Sequence, residues 1–145
     1  MRLYHGTDSL AATLIRREGL RLSTSGFGQT ALVGAALQEC PEEASRYLGD
    51  RKHAPVVLSF WVSIVNPYVI EDVEHWRHLR LSEMRTLFRD HKQAWRVAVD
   101  DDLYWTKYLQ TRGYDAAIIP STLVKGGGRE VVLFDPSKAV LECAH

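Results

Sequence analysis

Arg2-Leu3-Tyr4-His5-Gly6-Thr7-Asp8-Ser9-Leu10, continued by Leu14, Ile15 and Gly19, opens the chain and settles its class. Arg2 to Gly6 reads as a short strand, with Leu3 and His5 on one face and Tyr4 on the other. Thr7, Asp8 and Ser9 are the residue types that cap a helix N-terminus. Leu10, Leu14 and Ile15 make an apolar stripe, and Gly19 supplies a stop. A strand running directly into a helix over residues 8–18 is therefore expected.

The small, polar stretch from Ser23 to Gly28 reads as a loop. Pro41 suits the first position of a short helix, Glu42 and Glu43 complement its positive end, and Gly49 ends it after Tyr47. Val56 to Val65 is rich in β-branched and aromatic residues and reads as a buried strand; Asn66-Pro67 bends it, and Tyr68 to Ile70 continues extended. Residues 72–95 look mostly helical, with Ser82 as an N-cap before Met84, Leu87 and Phe88. Asp101 and Asp102 cap a further helix that stops at Gly113. Strands are expected over Tyr114 to Ile119, Glu130 to Phe134 and Lys138 to Glu142, with a loop at Gly126-Gly127-Gly128. Strands at both ends with helices between them give an α+β domain, and no repeat or linker divides residues 1–145.

The 18 basic and 18 acidic side chains cancel, which argues against indiscriminate binding to a nucleic-acid backbone. There is no Gly-x-Gly-x-x-Gly fingerprint and no P-loop lysine. His75 and His78 lie near Glu71, Asp72 and Glu74, but the spacing supplies no clear third ligand, so no metal is expected. Trp61, Trp76, Trp95 and Trp105 read as core and cleft aromatics, and Asp100-Asp101-Asp102 as a capped helix start. Cys40 and Cys143 form no disulfide framework. The polar start carries no signal peptide, and the run from Val56 to Val65 is too short to span a bilayer. A cytoplasmic protein with no membrane partner is the expectation.

The segment Leu3-Tyr4-His5-Gly6-Thr7, a helix, then Glu18-Gly19-Leu20 resembles the opening of many ADP-ribosyltransferases. The close resembles theirs as well: Gly113-Tyr114-Asp115-Ala116-Ala117-Ile118-Ile119, a Gly-rich loop, then Glu130-Val131-Val132-Leu133-Phe134-Asp135-Pro136. Ala44-Ser45-Arg46-Tyr47 and Asn66-Pro67-Tyr68-Val69-Ile70 fall where the poly-ADP-ribose-polymerase-like branch has similar segments. That branch is known for a His, a Tyr and a Glu on separate elements.

The resemblance implies a split β-sandwich of two small antiparallel sheets, with flanking helices and a cleft for NAD⁺ as co-substrate. Cleavage at the nicotinamide ribose passes through an oxocarbenium-like state, which a carboxylate near the ribose 2′-hydroxyl stabilises. Glu130 is the candidate for that role. His5 is expected to hydrogen-bond a ribose hydroxyl of the adenosine half, with Gly6 and Thr7 beside it, and Gly6 to admit the nicotinamide carboxamide. Tyr47 is the candidate to stack on nicotinamide, and Ser45 to bond its carboxamide.

Two departures matter. Where the branch usually has a tyrosine after its Gly-rich segment, this chain has Leu32 or a neighbour. Two residues before Glu130 stands Gly128, where arginine- and Rho-directed enzymes carry Glu or Gln. A mono-transferase acting on a macromolecular acceptor, protein or nucleic acid, is the implied activity. Lys125 and Arg129 are candidates to meet a phosphate or acidic acceptor. Small solitary domains of this kind include bacterial and phage toxins and effectors, some delivered into a target cell, for which an antitoxin or immunity protein is the partner class. An NAD⁺ glycohydrolase, an RNA 2′-phosphotransferase and a degenerate binding module stay open as alternatives.

Overall fold

The computed structural model describes residues 1–24, 30–45, 53–89, 98–120 and 128–144. Asp8 ends β1 (Arg2–Asp8) and caps α1 (Ser9–Glu18), its carboxylate accepting from the Ala11 amide at 2.8 Å. Gly19 closes α1 with φ of 85°, a left-handed conformation that glycine adopts without steric cost, and its N–H donates to the Ile15 carbonyl at 2.8 Å. A two-residue β2 (Ser23–Thr24) then pairs with β3 (Val33–Gln38), which leads to the short α2 (Pro41–Ser45).

β4 (Pro55–Val62) and β5 (Pro67–Val69) precede α3 (Val73–Leu87), then α4 (Asp102–Thr111) and β6 (Ala116–Pro120). β7 (Arg129–Leu133), a 3₁₀ turn (Pro136–Lys138) and β8 (Ala139–Ala144) complete the described chain. Asp101 caps α4 as expected, accepting from the Tyr104 amide at 3.2 Å. Ser82 is no cap: it lies inside α3, which starts nine positions earlier at Val73. Asp72 holds the cap there by accepting from Glu74 N at 2.9 Å. Tyr47, Trp95, Lys125 and the expected loop glycines Gly126 and Gly127 lie outside the described residues.

The fold is mixed α+β, with strands in the order β5-β6-β7-β3-β1-β4-β8 and β2 added on β3. Two expectations change. The hydrogen-bonded path runs through all seven strands instead of breaking into two sheets, and β5 pairs with β6 in parallel, not antiparallel. A parallel pair needs a long crossover, which the segment carrying α3 and α4 supplies.

The path is nonetheless thin at one place. β1 pairs with β4 along its whole length, and β3 with β7 from Ala35 to Gln38. Between β1 and β3 the register holds at one pair, Tyr4↔Gln38. Two ladders, β5-β6-β7-β3 and β1-β4-β8, therefore meet at a single rung.

Alternation along β6 and β7 divides the core in two. Ala117, Ile119 and Val132 pack against Trp76 and Met84 of α3 and Trp105 and Leu109 of α4. Ala116, Ile118, Val131 and Leu133 point the other way, onto Leu3, Leu58, Phe60 and Val62 of the β1-β4 ladder and Ala12 of α1. The two ladders thus close face to face over one core, and α3 and α4 cover the outer face of the larger one. Trp76 and Trp105 serve the core, the Trp76 indole N–H donating to the Thr30 carbonyl at 2.7 Å. Trp61 does not: it is half exposed on β4, paired with the exposed Val140 of β8. Among the described residues no helix is long and apolar enough to cross a membrane.

Candidate active site

Beyond the Tyr4↔Gln38 rung, β1 and β3 part, and α1 lies across the opening. The resulting cavity of about 240 Å³ is lined by His5 and Thr7 of β1, Ala35 and Ala36 of β3, and Ile15, Leu20 and Arg21 at the end of α1. Small-molecule sites usually measure about 300–1,000 Å³, so this one is below the common range. A larger depression of about 480 Å³ lies on the outer face of α3, lined by residues such as His78, Arg85 and Arg89, and holds none of the expected site residues.

His5 is held where the ladder stops. Its Nδ1 lies 3.2 Å from the Ala36 carbonyl oxygen. A carbonyl only accepts, so Nδ1 carries the proton, and in the neutral ring Nε2 is the acceptor nitrogen. An imidazole so fixed can receive a hydroxyl proton.

The backbone adds a second feature. Val62 N–H donates to the Met1 carbonyl at 2.8 Å and Ser9 N–H to the Ala54 carbonyl at 2.8 Å, at opposite ends of the β1–β4 pairing. In an antiparallel ladder bonded and non-bonded pairs alternate. Odd-numbered residues of β1 thus bond β4, and the N–H and C=O of Gly6 face β3, past the last β1–β3 rung. One donor and one acceptor on a residue without Cβ make a match for a carboxamide edge.

Glu130 stands at the start of β7, in register with Gln38, which is itself in register with Tyr4. It is buried, at 3% exposure, and receives the Gln38 Nε2 at 3.2 Å. Two strand spacings separate β1 from β7, so the backbones of His5 and Glu130 lie about 10 Å apart along the sheet. Beside this pair, Arg129 and Glu39 clamp the ends of the same strands. Arg129 Nε and Nη2 reach Glu39 Oε1 and Oε2 at 2.7 and 3.2 Å, and Glu39 N–H donates to the Arg129 carbonyl at 3.0 Å. The guanidinium holds the Glu39 carboxyl below its ordinary range.

No protein-family model matches the chain, and no curated protein matches it.

The remaining expected residues divide. Thr7 is buried and lines the cavity. Ser45 is exposed at the end of α2, where its hydroxyl donates to the Glu42 carbonyl at 2.6 Å. Leu32 is fully buried in the core between β6, α3 and α4, and so packs instead of facing a ligand. Arg129, read from sequence as a cation for an acceptor, is occupied by Glu39. Gly128 has a steric reason: a Cβ there would come within 3.2 Å of the Cys40 Cβ and 3.4 Å of the Glu39 Cβ. Cys40 carries a free thiol, which donates to a Glu42 carboxylate oxygen at 3.2 Å. Among the described residues no three His, Cys, Asp or Glu side chains gather closely enough to hold a metal.

Sequence reasoning missed Gln38 and Arg21. Gln38 sits on a strand that the sequence does not announce. Arg21, at the lip of the cavity, is an exposed arginine ion-paired with Glu18 at 3.3 Å and has no distinguishing pattern.

Proposed function

We propose that this chain is an NAD⁺-dependent mono-ADP-ribosyltransferase with a split β-sandwich of the ADP-ribosyltransferase type. One observation carries the reading most. His5, the outward-turned peptide groups of Gly6 and the buried Glu130 flank the seam between the two ladders, the first two on β1 and the third on β7. The face-to-face closure of the ladders over a shared core supports the same fold.

In this reading the adenosine half enters the cavity between β1, β3 and α1, where His5 Nε2 accepts a ribose hydroxyl. The carboxamide pairs with Gly6 N–H and C=O. Glu130 meets the 2′-hydroxyl of the nicotinamide ribose and stabilises the positive charge that develops at C1′. The bond from C1′ to the nicotinamide nitrogen breaks with its electron pair going to the ring, so nicotinamide leaves neutral. A lone pair of the acceptor then bonds C1′, and the proton it sheds passes to Glu130 or water. The acceptor is a macromolecule; water in its place makes the same site a glycohydrolase.

The test is incubation of the purified protein and its Glu130→Gln form with labelled NAD⁺ and a cell lysate. Label entering protein or nucleic acid, reduced at least ~100-fold by the substitution, is the expected result. Release of nicotinamide and free ADP-ribose without labelling assigns water as acceptor. A folded wild type that turns over no NAD⁺ overturns the proposal.

A further inference from the structure

The Gln38 side chain is nearly all buried, at 4% exposure. Its Nε2 is committed to Glu130, while its Oε1 is a buried acceptor without a hydrogen-bond partner among the described residues. Such an atom is unusual: a buried carbonyl left unpaired is costly, and most native side-chain groups avoid it. A methionine or leucine would fill the same space on β3 without that cost. The orphan oxygen therefore calls for a ligand-side explanation, and its neighbour supplies one.

A carboxylate only accepts, so an ionised Glu130 fixes the amide with its NH₂ toward the carboxylate and its oxygen away. The Glu39–Arg129 clamp, one residue along on both strands, holds the two backbones in that register. The outcome is two acceptors on paired residues of neighbouring strands, the Glu130 carboxylate and the Gln38 carbonyl, linked through one 3.2 Å hydrogen bond from the Gln38 amide. Two neighbouring acceptors match two neighbouring donors, which is what the vicinal diol of a ribose presents.

We infer that Gln38 is a specificity residue that receives the 3′-hydroxyl of the same ribose whose 2′-hydroxyl meets Glu130. This rests on the proposed function, since a sugar that reaches Glu130 reaches the Gln38 carbonyl with it. The pair selects an intact ribose over a 3′-deoxy sugar, because the deoxy form leaves the buried carbonyl unpaired in the complex.

The experiment is a two-by-two comparison: wild type and Gln38→Met, each with NAD⁺ and with its analogue lacking the 3′-hydroxyl on the nicotinamide ribose. Turnover (kcat/KM) and the dissociation constant are measured for each, and thermal unfolding confirms that both proteins fold. Wild type is expected to lose about tenfold in kcat/KM on the analogue. Gln38→Met is expected to lose a similar factor on NAD⁺ but little more on the analogue, since the partner of the missing hydroxyl is already gone. Gln38→Asn, which keeps an amide on a shorter stem, is the second variant should Gln38→Met fail to fold, and is expected to discriminate less than wild type. Equal analogue penalties in wild type and variant would overturn the inference while leaving the transferase reading intact. A wild type that neither binds nor cleaves NAD⁺ overturns both.

Discussion

Glu39 shows how a single residue links site geometry to pH. Its carboxyl is held below its ordinary value mainly by the hydrogen bond from Arg129. A carboxylate with a depressed folded-state pKa contributes stability that is fully present above its unfolded value, about 4.3, and is lost as pH falls through the lower folded value. The stability difference between wild type and Glu39→Gln should therefore be constant near neutrality and shrink below about pH 4.3. The pair is partly exposed, so the difference is small, and added salt diminishes it. Chemical denaturation of both proteins at pH 7 and pH 3 checks this; a gap that widens on acidification refutes it. At this scale the sequence was legible only where a local pattern marked the residue. His5 and Gly6 sit on a strand that runs directly into a capped helix, whereas Gln38 is one amide in a run of Ala and Leu. The Ser45 hydroxyl has an acceptor in its own helix, the Glu42 carbonyl.

Among the elements, β3 is the instructive miss. Val33-Gly34-Ala35-Ala36-Leu37-Gln38 contains one β-branched residue and several good helix formers, so propensity argues against a strand. It forms because it is central, with β7 on one side, β1 and β2 on the other, and its side chains are largely buried. Gly34 is where it comes closest: a Cβ there would lie 2.6 Å from Val132 Cγ1 and 2.7 Å from the Leu133 carbonyl oxygen. Gly34→Ala must push β3 away from β7 and should lower stability by about 1–3 kcal/mol. Equilibrium unfolding measures the loss, and an unchanged midpoint would show that the strands have room to spare. α1 and α4 were readable because Asp8 and Asp101 cap them. α3 is legible from residue 72 onward, whereas Ser82 has a cap's chemistry but lies within the helix already begun at Asp72.

For the molecule as a whole, the α+β class was visible in the order of strands and helices, but the sheet path was not, since pairing between distant segments leaves no local trace. The unpaired stretch of β1 beyond Tyr4 makes a testable pattern of amide exchange. His5 and Thr7 N–H face β4 and should exchange slowly, while Gly6 N–H faces the gap and should exchange fast. Saturating NAD⁺ should slow Gly6 selectively. Uniform protection along β1 in hydrogen-exchange NMR would contradict the alternation. The lone rung Tyr4↔Gln38 has one more consequence. Gap width depends on a joint and not on either wall, much as the opening of a caliper is set by its pivot. Loosening or tightening that joint would re-gauge the size of guest admitted.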